Sequence, residues 1–478
     1  MRVLAAVLCL LVSAAPAAGT RYLVVGGGPD IDESQVSIEL NTLWLLDWLE
    51  RAHPGAPVTV LYGAGPGGGH DVYGQEGAGP GAEPSPLARV MGAPAADARF
   101  WHPHRVPAAG PATAEAVQAA LAREVEGMAA GDELVFIYQG HGGHDEADPA
   151  GNTLRLWQDT RLSARELARL LDRAPEKSRV RFFFPQCFSG GFARLIFRGA
   201  DPRQGLAPQD RCGFLAQAPD RESEGCTPSV DTGDYRDYTT YFFSALTGRT
   251  RSGAPLPVGA DHDGDGLVSP REAHLHALAV AESVDLPRAT SEAFLEHWEP
   301  WYLRHLPLTG LPPNEYGVLA ARVARALGLD PAAPDVAAQV RRRLLDQRAR
   351  LARARREREA LEERVDAAQA ALRDRLEARW PQVFWPYTRA FRRLLAGGLG
   401  EVEGWIRAQP AYSGLVRAQD ALAAAEDRIL ALERRGARLE KVLRLRRLAR
   451  LRGLLARYGD RRDRAAYARL LACESAPL

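Results

Sequence analysis

Four apolar runs that end in glycine constrain this chain more than anything else in it. They are "RYLVVGGG" from Arg21, "PVTVLYGAG" from Pro57, "ELVFIYQGHGGH" from Glu133 and "RVRFFFPQCFSGG" from Arg179. Each reads as a buried strand, and between them lie stretches with apolar residues at helical spacing: "ESQVSIELNTLWLLDWLERA", "ATAEAVQAALAREVEGM" and "LSARELARLLDRA". Strands alternating with amphipathic helices predict an α/β fold, a mostly parallel sheet sandwiched by helices. One more strand cue, "CGFLAQA" from Cys212, is followed by a helix near "YTTYFFSALTG". The Gly/Pro-rich stretch from about Gly65 to Gly110 reads as a long loop. Within it "GAGPGGG" at Gly63 is not followed by a helix pattern, so it is read as loop rather than as a phosphate cradle.

From about Asp335 the composition changes to Arg, Ala, Leu and Glu. Leu344, Leu351, Leu361, Val365, Ala368, Leu372 and Leu376 recur by threes, fours and their sums, as do Leu422, Ile429, Leu432, Leu439 and Val442. With "GGLG" and "QPAYSG" between the two runs, they predict an all-α antiparallel coiled-coil hairpin. The net charge of +1 hides a split: residues 335–478 hold 33 basic and 19 acidic side chains, residues 1–334 hold 28 and 41. The division predicted is a leader over 1–19, a sheet domain over 20–310, a linker over 311–334 and a helical domain over 335–478. The leader, "MRVLAAVLCLLVSAAPAAG", joins Arg2 to about ten apolar residues and then small ones. That is a cleavable export signal, too short for a membrane span, and it predicts a secreted or periplasmic protein. An uncleaved anchor is the alternative.

Cys9 falls in the leader, which leaves Cys187, Cys212, Cys226 and Cys473. Four thiols in an exported chain make either two disulfides or one, Cys212–Cys226, with Cys187 kept free for chemistry. Cys187 ends one predicted strand and His141 ends another, 46 positions earlier. In a parallel sheet, strand ends open onto a shared crevice, so an imidazole and a thiol there are placed to face each other as base and nucleophile. The backbone N–H groups of Gly142 and Cys187 are the natural oxyanion donors. Set against this is an inert buried Cys with a loop His. His144 competes with His141 as the base, and a metal site from His141, His144 and Asp145 is a weaker alternative.

A hydrophobic strand running into His-Gly and a second running into Cys resemble the caspase-like (clan CD) cysteine peptidases. "YQGHGG" is similar to the metacaspase His motif, and "QCFSGGF" shares the Cys-x-Ser-Gly pattern of legumains. The resemblance covers roughly Arg21 to Gly310 and is specific at these two motifs. It implies the caspase fold, hydrolysis of peptide bonds by a His141/Cys187 dyad through a thioacyl-enzyme, and strict selection of one P1 side chain. Pro185-Gln186 before the Cys departs from both caspases and legumains, so their P1 rules do not transfer. Asp220, Glu222, Ser223 and Glu224 stand where such peptidases build part of the P1 pocket; an acidic wall there suits Arg or Lys, and a solvated acidic loop is the plainer reading.

"DHDGDGLVSPRE" is an EF-hand-like loop, with Asp261, Asp263, Asp265, Ser269 and Glu272 at ligand positions 1, 3, 5, 9 and 12 and Gly266 at the turn. It predicts a structural Ca2+, while catalysis needs no cofactor. An Asp/Gly-rich surface turn is the alternative. Peptide or protein substrates are the expected partners, and no nucleic acid is expected. The charge split leaves three roles for the basic helices: docking on the acidic domain to limit its activity, binding an anionic envelope surface, or a solvated coiled-coil face. Two further functional classes stay open, a transamidase using the same acyl-enzyme and a non-enzymatic coiled-coil scaffold.

Overall fold

The computed structural model describes residues 19–76, 84–92, 98–304 and 310–478, so the expected leader lies, apart from Gly19, outside the described residues. Ten strands are present among the described residues: β1 Thr20–Gly27, β2 Val58–Tyr62, β3 Val72–Glu76, β4 Ala98–His102, β5 Glu133–Gly143, β6 Thr153–Leu156, β7 Thr160–Ser163, β8 Arg179–Phe184, β9 Asp210–Leu215 and β10 Arg288–Ala289. The main sheet runs β2-β1-β5-β8-β9-β10, parallel throughout except for β10. β5 outruns its parallel partners and turns into an antiparallel extension with β6 and β7.

Strand alternation sends side chains to two cores. Phe136, Tyr138, Phe182 and Phe184 enter one, under the helices Ala114–Glu126 and Ala164–Leu171. Val135, Ile137 and Phe183 enter the other, under Val36–Ala52, Tyr238–Thr247 and Pro270–Val280. Both faces are covered, which is why these strands are apolar without interruption.

The predicted hairpin consists of Val336–Arg379 and Pro410–Tyr458. Their antiparallel sense follows from Gln347 donating to the Leu432 carbonyl and Arg428 pairing with Glu357. "QPAYSG" is not a connector: Pro410 opens the second helix, where its missing N–H costs nothing. A third helix, Arg461–Ser475, folds back onto the sheet domain.

Two expectations are corrected here. Residues 311–334 are no simple linker, because the helix Glu315–Ala326 buries Tyr316, Leu319 and Val323 in a core shared by the sheet domain and the long helices. The loop from Gly65 to Gly110 carries an antiparallel ribbon, β3–β4, and a short helix, Pro86–Met91. That helix docks on the far half of the hairpin, where Arg373 donates to the carbonyls of Val90 and Met91.

Candidate functional site at the strand ends

β5 and β8 pair with a constant offset, from Glu133 opposite Arg179 to Ile137 opposite Phe183. The pairing stops there, β8 ends at Phe184, and Cys187 lies in the turn that follows, while β5 continues past His141 to Gly143. Gly142 closes the approach: a Cβ there would stand 1.9 Å from the Cys187 carbonyl oxygen, which no side chain tolerates. Gly190, three residues after Cys187, acts likewise, since a Cβ there would meet the backbone N of Pro219 at 2.6 Å. These glycines let two loops of the protein touch.

The turn that carries Cys187 is held in an uncommon conformation. Phe188, directly after Cys187, has φ +58°, costly for a residue with a Cβ. Its N–H donates to the Arg221 carbonyl at 2.8 Å, and its carbonyl accepts from the fully buried Asn152 amide, which also bonds the Pro219 carbonyl. His144 stacks on the Phe188 ring at 5.0 Å, and the Asp145 carboxylate accepts the backbone N–H groups of Ala147 and Asp148. Two of the three residues of the alternative metal site, His144 and Asp145, thus have work within the loop.

The Cys187 sulfur accepts the Ser223 N–H at 3.2 Å and lies 3.7 Å from the Ser223 hydroxyl. Burial pushes the thiol above its ordinary range, and the Ser223 N–H offsets this in part. His141 Nε2 lies 2.7 Å from the Glu33 carbonyl and 2.8 Å from Gln35 Oε1. Both partners are acceptors, so Nε2 carries the proton and Nδ1 keeps its lone pair. Burial also lowers the imidazole pKa below its ordinary 6.5, more than the Glu33 carbonyl bond raises it. The resting pair is therefore a neutral thiol and a neutral imidazole.

The acidic segment is not one wall. Asp220 and Glu222 are exposed, Ser223 serves the thiol, and Glu224 is clamped, accepting from Ser283 Oγ, Val284 N–H and Arg434 Nε at 3.2, 3.0 and 3.3 Å. Arg434 belongs to the second long helix. Glu222, Ser223 and Glu224 face Leu344, Gln347 and Gly436 of the hairpin across a cleft of about 590 Å³.

The disulfide expectation fails. Cys212 on β9 bonds to Cys473 of the last helix, and Cys226 is a free thiol, pushed well above its ordinary range by burial. At the acidic loop the structure brings Asp261, Asp263 and Asp265 within one cluster. Ser269 and Glu272 instead form a capping box on the helix Pro270–Val280, and the second Glu272 oxygen accepts from the N–H groups of His262 and Asp263. Sequence reasoning did not find Glu33, Gln35, Asn152 or Arg434. None belongs to a motif, and only the fold brings them to the site.

The class defined so far is an α/β protein with a mostly parallel sheet, an imidazole near the end of one strand, a thiol in the turn after its neighbour, and a long helical hairpin. No family model and no curated protein matches the chain. Among solved structures it is similar to the crystal structure of protein GSU0716 from Geobacter sulfurreducens, 14% identical, covering 57% of this chain and 92% of that one at a TM-score of 0.34.

Proposed function

We propose that this chain is an exported cysteine endopeptidase resembling the caspase-like peptidases, with His141 and Cys187 as its dyad. The observation that carries the reading is the close approach of Gly142, next to His141 near the end of β5, to the backbone of Cys187 in the turn after β8, which brings together an imidazole with a free Nδ1 and a thiol held by an N–H donor. Nδ1 takes the thiol proton as sulfur attacks the substrate carbonyl carbon. The C–N bond breaks, the amine leaves with that proton, and water then hydrolyses the thioester to restore the thiol. The Cys187 N–H, which has no acceptor among the described residues, supplies an oxyanion donor.

Export is supported by the disulfide, since such bonds persist in oxidising compartments. No helix among the described residues is long and apolar enough to cross a membrane. Calcium remains part of the proposal on the strength of the three clustered aspartates, with Glu272 contributing through the loop backbone rather than as a settled ligand. A transamidase shares every step up to the thioester and differs only in taking an amine in place of water. The test is digestion of a peptide library with product masses read: cleavage that disappears in Cys187→Ala supports the peptidase, amine-joined products the transamidase, and no thiol-dependent product defeats both.

A further inference from the structure

At its outer end the hairpin closes in a small helical head with a core of its own. Trp380, Val383, Leu394, Val402 and Ile406 are buried there, and the Trp380 and Trp405 rings meet at 5.3 Å. Trp385 and Tyr387 do not join that core and stand 63% and 96% exposed, with Leu395 beside them at 52%. Nor are they loosely placed. The Trp385 N–H donates to the Gln382 carbonyl, and the Trp385 carbonyl accepts both the N–H and the hydroxyl of Thr388. Thr388 in turn caps the helix Arg389–Arg393.

Between residues 380 and 400 there is no Asp or Glu, while Arg389, Arg392 and Arg393 are all exposed. The other large exposed aromatic pair, Trp301 and Tyr302, differs: its neighbour Arg304 is paired with Glu299. The preceding helix of 44 residues holds this head about 66 Å from its own start at 1.5 Å per residue.

An amphipathic ring body suits the depth of lipid headgroups, and unpaired arginines attract anionic ones. We propose that the head of the hairpin is a binding surface for anionic phospholipid bilayers, with Trp385 and Tyr387 inserting at the headgroup level and the three arginines meeting the lipid charge. This does not depend on the peptidase reading.

The test is co-sedimentation of the full chain with vesicles of phosphatidylcholine alone or with one third phosphatidylglycerol. Binding to the anionic vesicles only is expected, falling with added salt. Arg389→Glu/Arg392→Glu/Arg393→Glu should weaken it by about two orders of magnitude, and Trp385→Ser/Tyr387→Ser by about tenfold. The substituted side chains are exposed, so unchanged circular dichroism and melting separate a lost surface from a lost fold. Wild-type protein that stays in solution would overturn the proposal. So would head variants that bind as well as wild type, which would move the lipid contact to the arginines elsewhere on the hairpin, or sedimentation with neutral vesicles alone.

Discussion

The strand-end crevice and the seam where the second long helix and the last helix meet the sheet domain both bury polar groups, but the buried carboxylates of the seam are paired while a buried amide of the crevice is not. Glu292, fully buried, takes His274 at 3.0 Å and Arg444 at 2.8 Å; Glu474, equally buried, takes Arg271, Thr290 and Ser291. In the crevice the amide of Gln186, 2% exposed, has no partner at either end, and His141 Nδ1 has none among the described residues. Buried polar groups are normally satisfied, so the unpaired Gln186 amide singles out this part of the crevice, where the proposed chemistry would take place.

Breaking the crevice should have the largest effect. Cys187→Ala or His141→Ala is expected to lower peptide cleavage by about 10³-fold or more while melting is unchanged. Activity within a factor of a few of wild type in either variant would remove the dyad. The same pair predicts a pH profile. His141 must be neutral to accept the proton, and burial lowers its pKa, so activity should persist to a pH below 6.5 before the acid limb falls. Burial raises the thiol, so labelling of Cys187 by an alkylating reagent should stay slow through neutral pH and accelerate only above 9. An acid limb centred above 6.5 would contradict the buried geometry.

Breaking the seam should destroy stability rather than chemistry. Arg444→Ala strands Glu292 and is expected to cost about 3–5 kcal/mol in urea denaturation. The Glu292 carboxylate is held well below its ordinary 4.5, chiefly by Arg444 and His274 against the cost of burial. A folded-state pKa below the unfolded one stabilises above 4.5, and that contribution drains away as pH falls beneath it. Wild type should therefore lose stability steeply in acid, and Arg444→Ala less so. Removing the Cys212–Cys473 bond with Cys473→Ser, which reopens a loop of 261 residues, should cost up to about 5 kcal/mol. Deleting residues from Asp335 onward tests little, because it removes that bond and half of a shared core together.

The two regions were unequally legible in the sequence. β5, β8 and their register follow from local pattern, since apolar runs and a 46-residue interval suffice to bring Gly142, next to His141, against the Cys187 backbone. The interval was read as a single helix, yet it also holds β6 and β7, and Asn152 lies in the turn that leads into them. Cys212 and Cys226 are near in sequence, so a short loop was the natural pairing. The actual partner arrives on the last helix, whose docking rests on contacts such as Arg469 with Asp210 that no local pattern announces. "SPRE" is ambiguous in a different way: Ser-x-x-Glu is equally a capping box and positions 9 and 12 of a calcium loop, and in the structure Ser269 and Glu272 cap the helix while Glu272 also accepts from the loop N–H groups of His262 and Asp263.

A smaller effect sharpens the contrast at a third place. If calcium engages Asp261, Asp263 and Asp265, a site of roughly 10⁻⁴ M affinity in millimolar calcium stabilises by about 1–2 kcal/mol. Calorimetry should then show binding heat that is lost in Asp263→Ala, and a melting temperature that falls with chelator. No heat and an unmoved melting temperature would leave a surface turn.

The smallest predicted effect lies where the two regions meet. Arg434 is the seam's contribution to the cleft: its guanidinium pairs with Glu224, one residue beyond the Ser223 that holds the Cys187 sulfur. Glu224 is also fixed from its other side by Ser283, Val284 and the bond from its own N–H to the buried Asp285. Arg434→Ala should therefore leave the carboxylate in place but unpaired and facing the cleft. If the hairpin limits activity by occupying an acidic P1 wall, this variant should cleave peptides with Arg or Lys at P1 about threefold faster, a gain suited to one partly exposed ion pair. Arg434→Lys should restore the wild-type rate, and peptides with an apolar P1 residue should be cleaved no faster. An equal rise for every peptide would mean that the substitution had only loosened the hairpin, and no rise would make the pair a structural tie like those along the rest of the seam.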